Sequence, residues 1–141
     1  MIKFASVKPT ELNAYLGTLF AQQLAEQVGD YSRAVGEVIG IGAFDRDKLI
    51  GGLLMTRRYD HLYINRLALA STYRHQRLGT QLITAAEAWA RDHQIINITL
   101  STRDYQAVGF YQKCGYQVYG QIADLPFAGV TTFYFVKRLN W

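Results

Sequence analysis

The chain has 141 residues, a formal net charge of +4 and a composition that is 50% hydrophobic, with only two prolines. This length predicts a single domain over residues 1–141, and the apolar content excludes a disordered chain. No apolar run approaches the roughly 20 residues that span a bilayer, and the N-terminus is too mixed for a signal peptide. We therefore expect a cytoplasmic protein with no membrane partner. Because the basic residues are scattered, we also expect no nucleic-acid partner.

The N-terminal region predicts one strand and one helix. Alternating apolar residues over Ile2–Val7 indicate a strand that ends at Pro9. Thr10 is expected to cap a helix whose apolar stripe continues to about Gln27, where Gly29 breaks the pattern.

A meander of strands is predicted next. The strands are expected over Val38–Phe44, Leu49–Arg57 and His61–Ala70, with turns at residues 45–48 and 59–60. Within the second strand, Gly51 and Gly52 indicate a bulge or a close approach of two backbones.

The remaining elements alternate between helix and strand. Their expected positions are a helix from Leu78 to about His93, a strand over Ile95–Leu100, a helix around Ala107–Cys114 capped by Asp104 and ended by Gly115, and strands over Tyr116–Ile122 and Val130–Leu139 joined by a loop at Asp124–Gly129. The helix from Leu78 connects two strands that must then be parallel. The order predicts a mixed α/β or α+β layout.

The segment Tyr73–Thr80 has the features of an anion-binding turn, because it lies between a predicted strand and a predicted helix. The first N–H groups of a helix have no partner within the helix, and the helix dipole adds partial positive charge there. A pyrophosphate could bind these groups, with Arg74 and Arg77 as counter-charges.

Plainer roles stay open for the same residues. Arg74 and Arg77 could be solvated charges, and Gly79 could be a packing glycine. Tyr111 and Cys114 lie in an apolar helical stripe, where such residues commonly belong to the core. The spacing of His, Cys, Asp and Glu does not resemble a metal site, so no metal is expected.

Two motifs resemble the signatures of the GNAT acetyltransferase superfamily. Residues 74–79, Arg-His-Gln-Arg-Leu-Gly, are similar to its [QR]-x-x-G-x-[GA] turn, and residues 107–116 are similar to its A-x-x-F-Y-x-K-x-G-[FY] helix. The resemblance implies a mixed, mostly antiparallel central sheet of about six or seven strands with helices on both faces. It departs at Arg77, where the family usually has glycine. The backbone donors could still face a pyrophosphate there if φ stays negative.

The resemblance also implies acetyl-CoA as cofactor, with its pantetheine arm between two splayed parallel strands. The residues expected to bind it are Leu67, Ala68, Leu69, Arg74, His75, Gln76, Arg77, Leu78, Gly79, Thr80, Asp104, Gln106, Ala107, Phe110 and Tyr111. A main-chain N–H near Leu69 is expected to polarise the thioester carbonyl.

For catalysis, the resemblance implies an N-acetyltransferase that transfers an acetyl group to a primary amine by direct attack in a ternary complex. Tyr111 would be the general acid toward the leaving thiolate. Glu37 is the first candidate for the base, with Asp60 and His61 as alternatives, and Asn65 could position a water. A non-catalytic acyl-CoA-binding or sensing module of the same fold stays open as the alternative.

The acceptor is expected to contact residues 12–35 and the loop at residues 124–129. Four carboxylates would favour a cationic acceptor if they face the cleft, namely Asp30, Glu37, Asp60 and Asp124. As in many members of the family, the chain is also expected to form a homodimer, which the closing strand with Phe133 and Phe135 could mediate by pairing with a second copy.

Overall fold

The computed structural model describes residues 1–29 and 35–139, which belong to two compact units that divide between residues 33 and 34. The first unit contains the helix α1 (Pro9–Gln27), and the second contains the sheet and the other helices. Asp30, which was considered for acceptor binding, lies outside the described residues. No helix in the described part of the chain combines the length and the apolar character needed to cross a membrane.

The first unit differs from the prediction at its N-terminal end. The strand expected over Ile2–Val7 is wrong: these residues are described and form no strand. Alternation produces a strand only where a neighbouring backbone supplies hydrogen bonds, and every ladder of this sheet joins strands after residue 34. The cap at Thr10 is also wrong, because Pro9 already occupies the first turn, where its fixed φ and missing N–H are tolerated.

The described residues of the second unit form six strands, two α-helices and one 3-10 turn at Ser71–Tyr73. In chain order these are β1 (Val35–Asp45), β2 (Lys48–Arg58), β3 (His61–Leu69), α2 (Leu78–Asp92), β4 (Asn97–Arg103), α3 (Val108–Lys113), β5 (Gln117–Ala123) and β6 (Thr131–Arg138).

The strands form one sheet in the order β1-β2-β3-β4-β6-β5. The neighbours β3 and β4 are parallel, and every other neighbouring pair is antiparallel. The predicted mixed, mostly antiparallel sheet is therefore confirmed, with six strands. The two parallel strands are those joined by α2, as the crossover required.

One apolar cluster lies between the sheet and the two helices of this unit. The helix α2 contributes Leu82 and Ala86, and α3 contributes Tyr111. These side chains pack with Leu62 and Phe135, both fully buried on central strands. Because both helices bury residues in this single cluster, they cover the same face of the sheet, called here the helix face.

Two further predictions are wrong. Asp104 does not cap α3, which begins at Val108 after Ala107. The Asp104 carboxylate instead accepts a hydrogen bond from the backbone N–H of Thr131, which ties the end of β4 to the start of β6. Nor can β6 pair with a second copy, since β4 and β5 occupy both of its edges and Phe135 is buried in the core.

Candidate functional site

A cleft opens where β3 and β4 separate. The ladder between these parallel strands ends at the pair Tyr63 and Thr99, although β3 continues to Leu69 and β4 continues to Arg103. The resulting space has a volume of about 1480 Å³, with walls from both strands, the start of α2, α3 and the loop before β6. That volume exceeds the roughly 300–1,000 Å³ of a typical drug-sized pocket. The cleft can therefore hold an extended ligand.

The backbone of β3 offers hydrogen-bonding groups to this cleft. The N–H of Ala70 donates to the carbonyl of Ile50 at 2.8 Å, and the neighbouring Leu69 lies opposite Gly51. In an antiparallel ladder, successive residues point their N–H and C=O groups to opposite sides. The N–H of Leu69 is therefore directed away from β2, toward the side that β4 has left.

The first turn of α2 supplies a second set of backbone donors. Gln81 is the first residue whose N–H reaches back within the helix, to the carbonyl of Arg77 at 3.2 Å. The N–H groups of the three preceding residues, 78–80, thus have no acceptor inside the helix. In the part of the chain that the structure describes, no side chain caps this end, and residues 78–80 all line the cleft. The helix start is available to an anion.

Arg77 directly precedes α2, and its backbone conformation sets the direction of the chain as it enters the helix. Its φ is +61°, so the negative φ considered from the sequence is not what the structure has. This left-handed conformation costs a non-glycine residue about 1 kcal/mol, whereas a glycine adopts it freely. The turn thus keeps a backbone conformation that suits glycine, and it adds a guanidinium to the wall of the cleft.

Gly79 lies both at the wall of the cleft and at the contact between two helices. It lines the cleft, and a Cβ added at this residue would lie 3.2 Å from the ring of Phe110 on α3. The glycine therefore lets α2 and α3 approach each other at the cleft.

Most of the residues predicted to bind the cofactor come together here. Those that line the cleft are Leu67, Ala68, Leu69, Arg74, His75, Arg77, Leu78, Gly79, Thr80, Gln106, Ala107, Phe110 and Tyr111. Gln76 and Asp104 do not line it. The Gln76 amide donates to the carbonyl of Thr72 at 3.4 Å, and Asp104 binds the backbone of β6.

Tyr111 lies at the base of the cleft. Its ring contacts Phe110, Tyr116 and Phe135, and only 7% of the residue is exposed. Among the described residues, none hydrogen-bonds its hydroxyl, which leaves that group available to a ligand. Burial, and secondarily the charge of Cys114, raises the pKa of Tyr111 to about 12.

The residues considered for the base are placed differently. Glu37 lies on β1, where its carboxylate is 3.9 Å from the guanidinium of Arg57, and it does not line the cleft. Asp60 and His61 lie at the turn into β3, also outside the cleft wall. The His61 imidazole hydrogen-bonds the Thr99 hydroxyl, and burial lowers its pKa. Asn65 does line the cleft, and its side-chain oxygen accepts a 2.7 Å hydrogen bond from Thr56.

Several cleft residues were missed at the sequence level. They are Ile64, Arg66, Leu100, Ser101, Thr102, Arg103, Tyr105, Lys113, Thr132 and Tyr134, whereas Leu125 and Pro126 belong to the loop that was expected to contact the acceptor. The alternation of β4 could have revealed two of them, because residues 101 and 103 share the face opposite the core positions 98, 100 and 102. The cleft wall carries four arginines and a lysine, and among its described residues there is no carboxylate.

A parallel strand pair that opens beside a basic helix start, with no cap from the described residues, suits the binding of a phosphorylated cofactor. The model of the Acetyltransferase (GNAT) family matches residues 9–116, most of the chain. The chain belongs to this family, and it is an acetyltransferase. Members of the family use acetyl-CoA, so the cofactor predicted from the two motifs is confirmed.

Known relatives agree with this assignment. The chain is 38% identical to a blasticidin-S acetyltransferase of Streptomyces morookaense over 96 residues. The aligned region covers 67% of this chain and 70% of the relative. An acetyltransferase of Bacillus cereus is similar in structure over 98% of both chains, with a TM-score of 0.84 and 27% identity. An aminoglycoside 6'-N-acetyltransferase in complex with coenzyme A shares the fold, with a TM-score of 0.67, 21% identity and coverage of 98% and 97%.

Proposed function

We propose that this protein transfers an acetyl group from acetyl-CoA to a primary amine of a small molecule, by direct attack of the amine within a ternary complex. The observation that carries the proposal is the cleft between β3 and β4, which combines backbone donors, arginines and the Tyr111 hydroxyl. The names of the relatives favour a small-molecule acceptor, since they include a blasticidin-S and an aminoglycoside acetyltransferase.

The residues that would hold the cofactor fit its chemistry. The N–H groups of residues 78–80, together with Arg74 and Arg77, would bind the phosphates as hydrogen-bond donors and counter-charges. Acetyl-CoA supplies a thioester whose carbonyl carbon accepts the amine. The N–H of Leu69 would donate to the developing oxyanion, because the ladder directs it away from β2.

Tyr111 would stabilise the leaving thiolate by donating a hydrogen bond. Its pKa of about 12 is well above the ordinary value of about 8.5 for a thiol. Complete transfer of the phenolic proton to the sulfur is therefore unfavourable by about 3.5 pKa units. We assign Tyr111 as a hydrogen-bond donor that keeps most of its proton.

The amine would reach the thioester in its neutral form. No carboxylate is present among the described residues of the cleft wall, so Glu37 would have to act from outside it. Arginines near an ammonium group favour loss of its proton, because like charges repel. A water positioned by Asn65 would accept that proton, with Thr56 holding the amide in place.

The test is release of the CoA thiol from acetyl-CoA when amines are added, with blasticidin S and an aminoglycoside in the panel. For any accepted amine we expect kcat/KM to rise about tenfold per pH unit up to the pKa of that amine, since only the neutral form attacks. A profile that levels off near neutral pH would indicate a protein base and would contradict the assignment of water.

The alternative is an acyl-CoA-binding or sensing module without transfer, which the lack of a carboxylate in the described cleft wall favours. It predicts tight acetyl-CoA binding with no amine-dependent thiol release. The panel therefore separates the two functions.

The predictions of domain organisation, cellular location and oligomeric state stay proposals. A single domain over residues 1–141 is supported by the family match, which includes parts of both compact units. We also retain a cytoplasmic location and a homodimer. In the described sheet, β1 and β5 each have one unpaired edge that could pair with a second copy, whereas both edges of β6 are occupied.

A further inference from the structure

The cleft contains a second group of cations besides those at the start of α2. On β4, Ile98, Leu100 and Thr102 are buried in alternation, so Arg103 shares the other face of the sheet with Ser101. Within the second unit this face is opposite the helix face, and neither α2 nor α3 covers it, so it is called here the open face of this unit. Arg103 also lines the cleft, at the point where β4 ends.

Arg66 has the matching position on β3. The register with β2 shifts between Leu54 and Met55, so that Asn65 is the extra residue on β3. Beyond the shift, Leu67 packs against the core, which directs Arg66 to the open face. Arg66 and Arg103 thus line the cleft from its two opposing strands, on the same face of the sheet.

Neither guanidinium has an ion pair with a carboxylate among the described residues. The acids that were expected to attract a cation lie elsewhere: Glu37 faces Arg57, and the Asp124 carboxylate accepts the N–H of Gly129 at 2.8 Å within its own loop. Asp60 does not line the cleft either. A cationic acceptor was expected only if these carboxylates face the cleft, and none of the three lines it.

Hydrogen bonds fix the strand segments that carry the two arginines. Tyr63 and Ser101 join the two strands at 3.2 Å on the open face. The backbone N–H of Arg103 donates to the Gln106 side chain at 2.9 Å, and that same oxygen accepts the Thr102 hydroxyl at 3.0 Å. The end of β4 is thus fixed, so that the Arg103 side chain starts from a defined position.

These cations are separate from the turn that suits the cofactor phosphates. Arg74 and Arg77 belong to the segment that leads into α2, and the Arg74 guanidinium donates to the carbonyl of Leu69 at 3.3 Å. Two guanidinium groups that have no carboxylate partner in the described part of the chain repel a polycationic ligand and favour an anionic one. Planar guanidinium groups also match the geometry of carboxylates and phosphates.

We propose that the acceptor is a primary amine that also carries an anionic oxygen group, a carboxylate or a phosphate, which Arg66 and Arg103 bind from the two sides of the cleft. This inference rests on the proposed acetyl transfer and names its substrate class. The arginines also raise the neutral fraction of the incoming amine by like-charge repulsion.

The experiment measures CoA thiol release with two matched pairs of amines. One pair is 4-aminobutanoate and 4-aminobutanamide, and the other is phosphoethanolamine and ethanolamine. The wild-type protein should prefer the anionic member of at least one pair by about tenfold or more in kcat/KM, the effect of one charge-assisted hydrogen bond. Which pair responds tells a carboxylate site from a phosphate site.

Variants then assign the preference to its residues. Arg66→Gln and Arg103→Gln should each reduce the preference severalfold and leave the KM for acetyl-CoA within about twofold. Arg138→Gln is the matched control, because Arg138 pairs with Asn97 at the opposite end of the same ladder and does not line the cleft. It should change neither quantity.

The outcomes separate this proposal from the one on which it rests. Transfer only to the members that lack the anionic group, with normal acetyl-CoA binding, would overturn the proposed acceptor class. A preference that survives in both arginine variants would overturn the assignment of these residues. If acetyl-CoA itself does not bind, the proposed function fails and the acceptor class fails with it.

Discussion

Tyr111 lies between the apolar core and the cleft. Its ring packs on Phe135 and Tyr116, whereas no described residue hydrogen-bonds its hydroxyl. Removing that hydroxyl would delete the proposed hydrogen bond to the ligand and leave the packing intact. The residue therefore allows a substitution that separates chemistry from folding.

Tyr111→Phe should lower kcat at least about tenfold, because one hydrogen bond to the developing thiolate is lost. The KM for acetyl-CoA should change only a few fold. Steady-state kinetics tests this, with Tyr119→Phe as the control, since Tyr119 is 61% exposed on β5 and does not line the cleft. An unchanged kcat in Tyr111→Phe would remove this residue from the mechanism.

Arg77 has an unfavourable backbone conformation and also carries a positive charge. Two variants separate the effects of these two properties. Arg77→Gly should raise the free energy of unfolding relative to Arg77→Ala by about 1 kcal/mol, because alanine keeps the unfavourable left-handed φ of +61°. Both variants should bind acetyl-CoA more weakly than the wild-type protein, since both lose the guanidinium. Urea unfolding and acetyl-CoA titration measure the two effects. Equal stability of the two variants would contradict the strain.

At the scale of elements, the close approach of β2 and β3 shapes the end of β3. A Cβ added at Gly51 would lie 2.6 Å from the carbonyl oxygen of Ala68 and 2.9 Å from the Cα of Leu69. Both are backbone atoms of the strand that directs the Leu69 N–H away from β2. A side chain at Gly51 must therefore move β3.

Gly51→Ala should lower the melting temperature and raise the KM for acetyl-CoA together, because the displaced strand also forms the cleft wall. Gly120→Ala on β5 is the matched control, since a Cβ there meets nothing within 4 Å. Calorimetry measures the melting temperature, and initial rates give the KM for acetyl-CoA. A normal KM in Gly51→Ala would show that the cleft tolerates the displacement.

The elements also show which features the sequence could predict. Turns at 45–48 and 59–60, the helix from Leu78 and the parallel crossover follow from local patterns, and the structure has all of them. The strand at Ile2–Val7 and the cap at Asp104 failed, because each depends on a partner that local spacing does not name. Arg66 was missed for the same reason: the extra residue on β3 decides which face it occupies.

At the scale of the molecule, α2, α3 and the closing strands meet around Glu87. Its carboxylate accepts hydrogen bonds from the Lys137 ammonium at 2.9 Å and from the Tyr116 hydroxyl at 3.2 Å. The same ammonium donates to the carbonyl of Cys114 at 2.9 Å. This network ties the helix that carries Tyr111 to the helix that starts at the cofactor turn.

The buried tyrosines predict a loss of stability at alkaline pH. Burial raises the pKa of both Tyr111 and Tyr116 above the ordinary value of about 10. Above that pH the unfolded chain releases these protons while the folded protein retains them, so the free energy of unfolding falls as the pH rises. Tyr111→Phe should reduce this loss relative to the wild-type protein between about pH 10 and 12 in urea unfolding. Parallel pH dependences of the two proteins would contradict the raised pKa.

The most direct test of the central claim is a thermal melt with acetyl-CoA, compared with S-acetylpantetheine, which lacks the adenosine phosphates. At about 100 times its Kd, acetyl-CoA should add about 2.7 kcal/mol and raise the melting temperature by several degrees. S-acetylpantetheine at the same concentration should give a much smaller shift, because it lacks the phosphates that we propose bind the helix start and its arginines. No shift with millimolar acetyl-CoA, or equal shifts with the two ligands, would contradict the account of this cleft as the cofactor site.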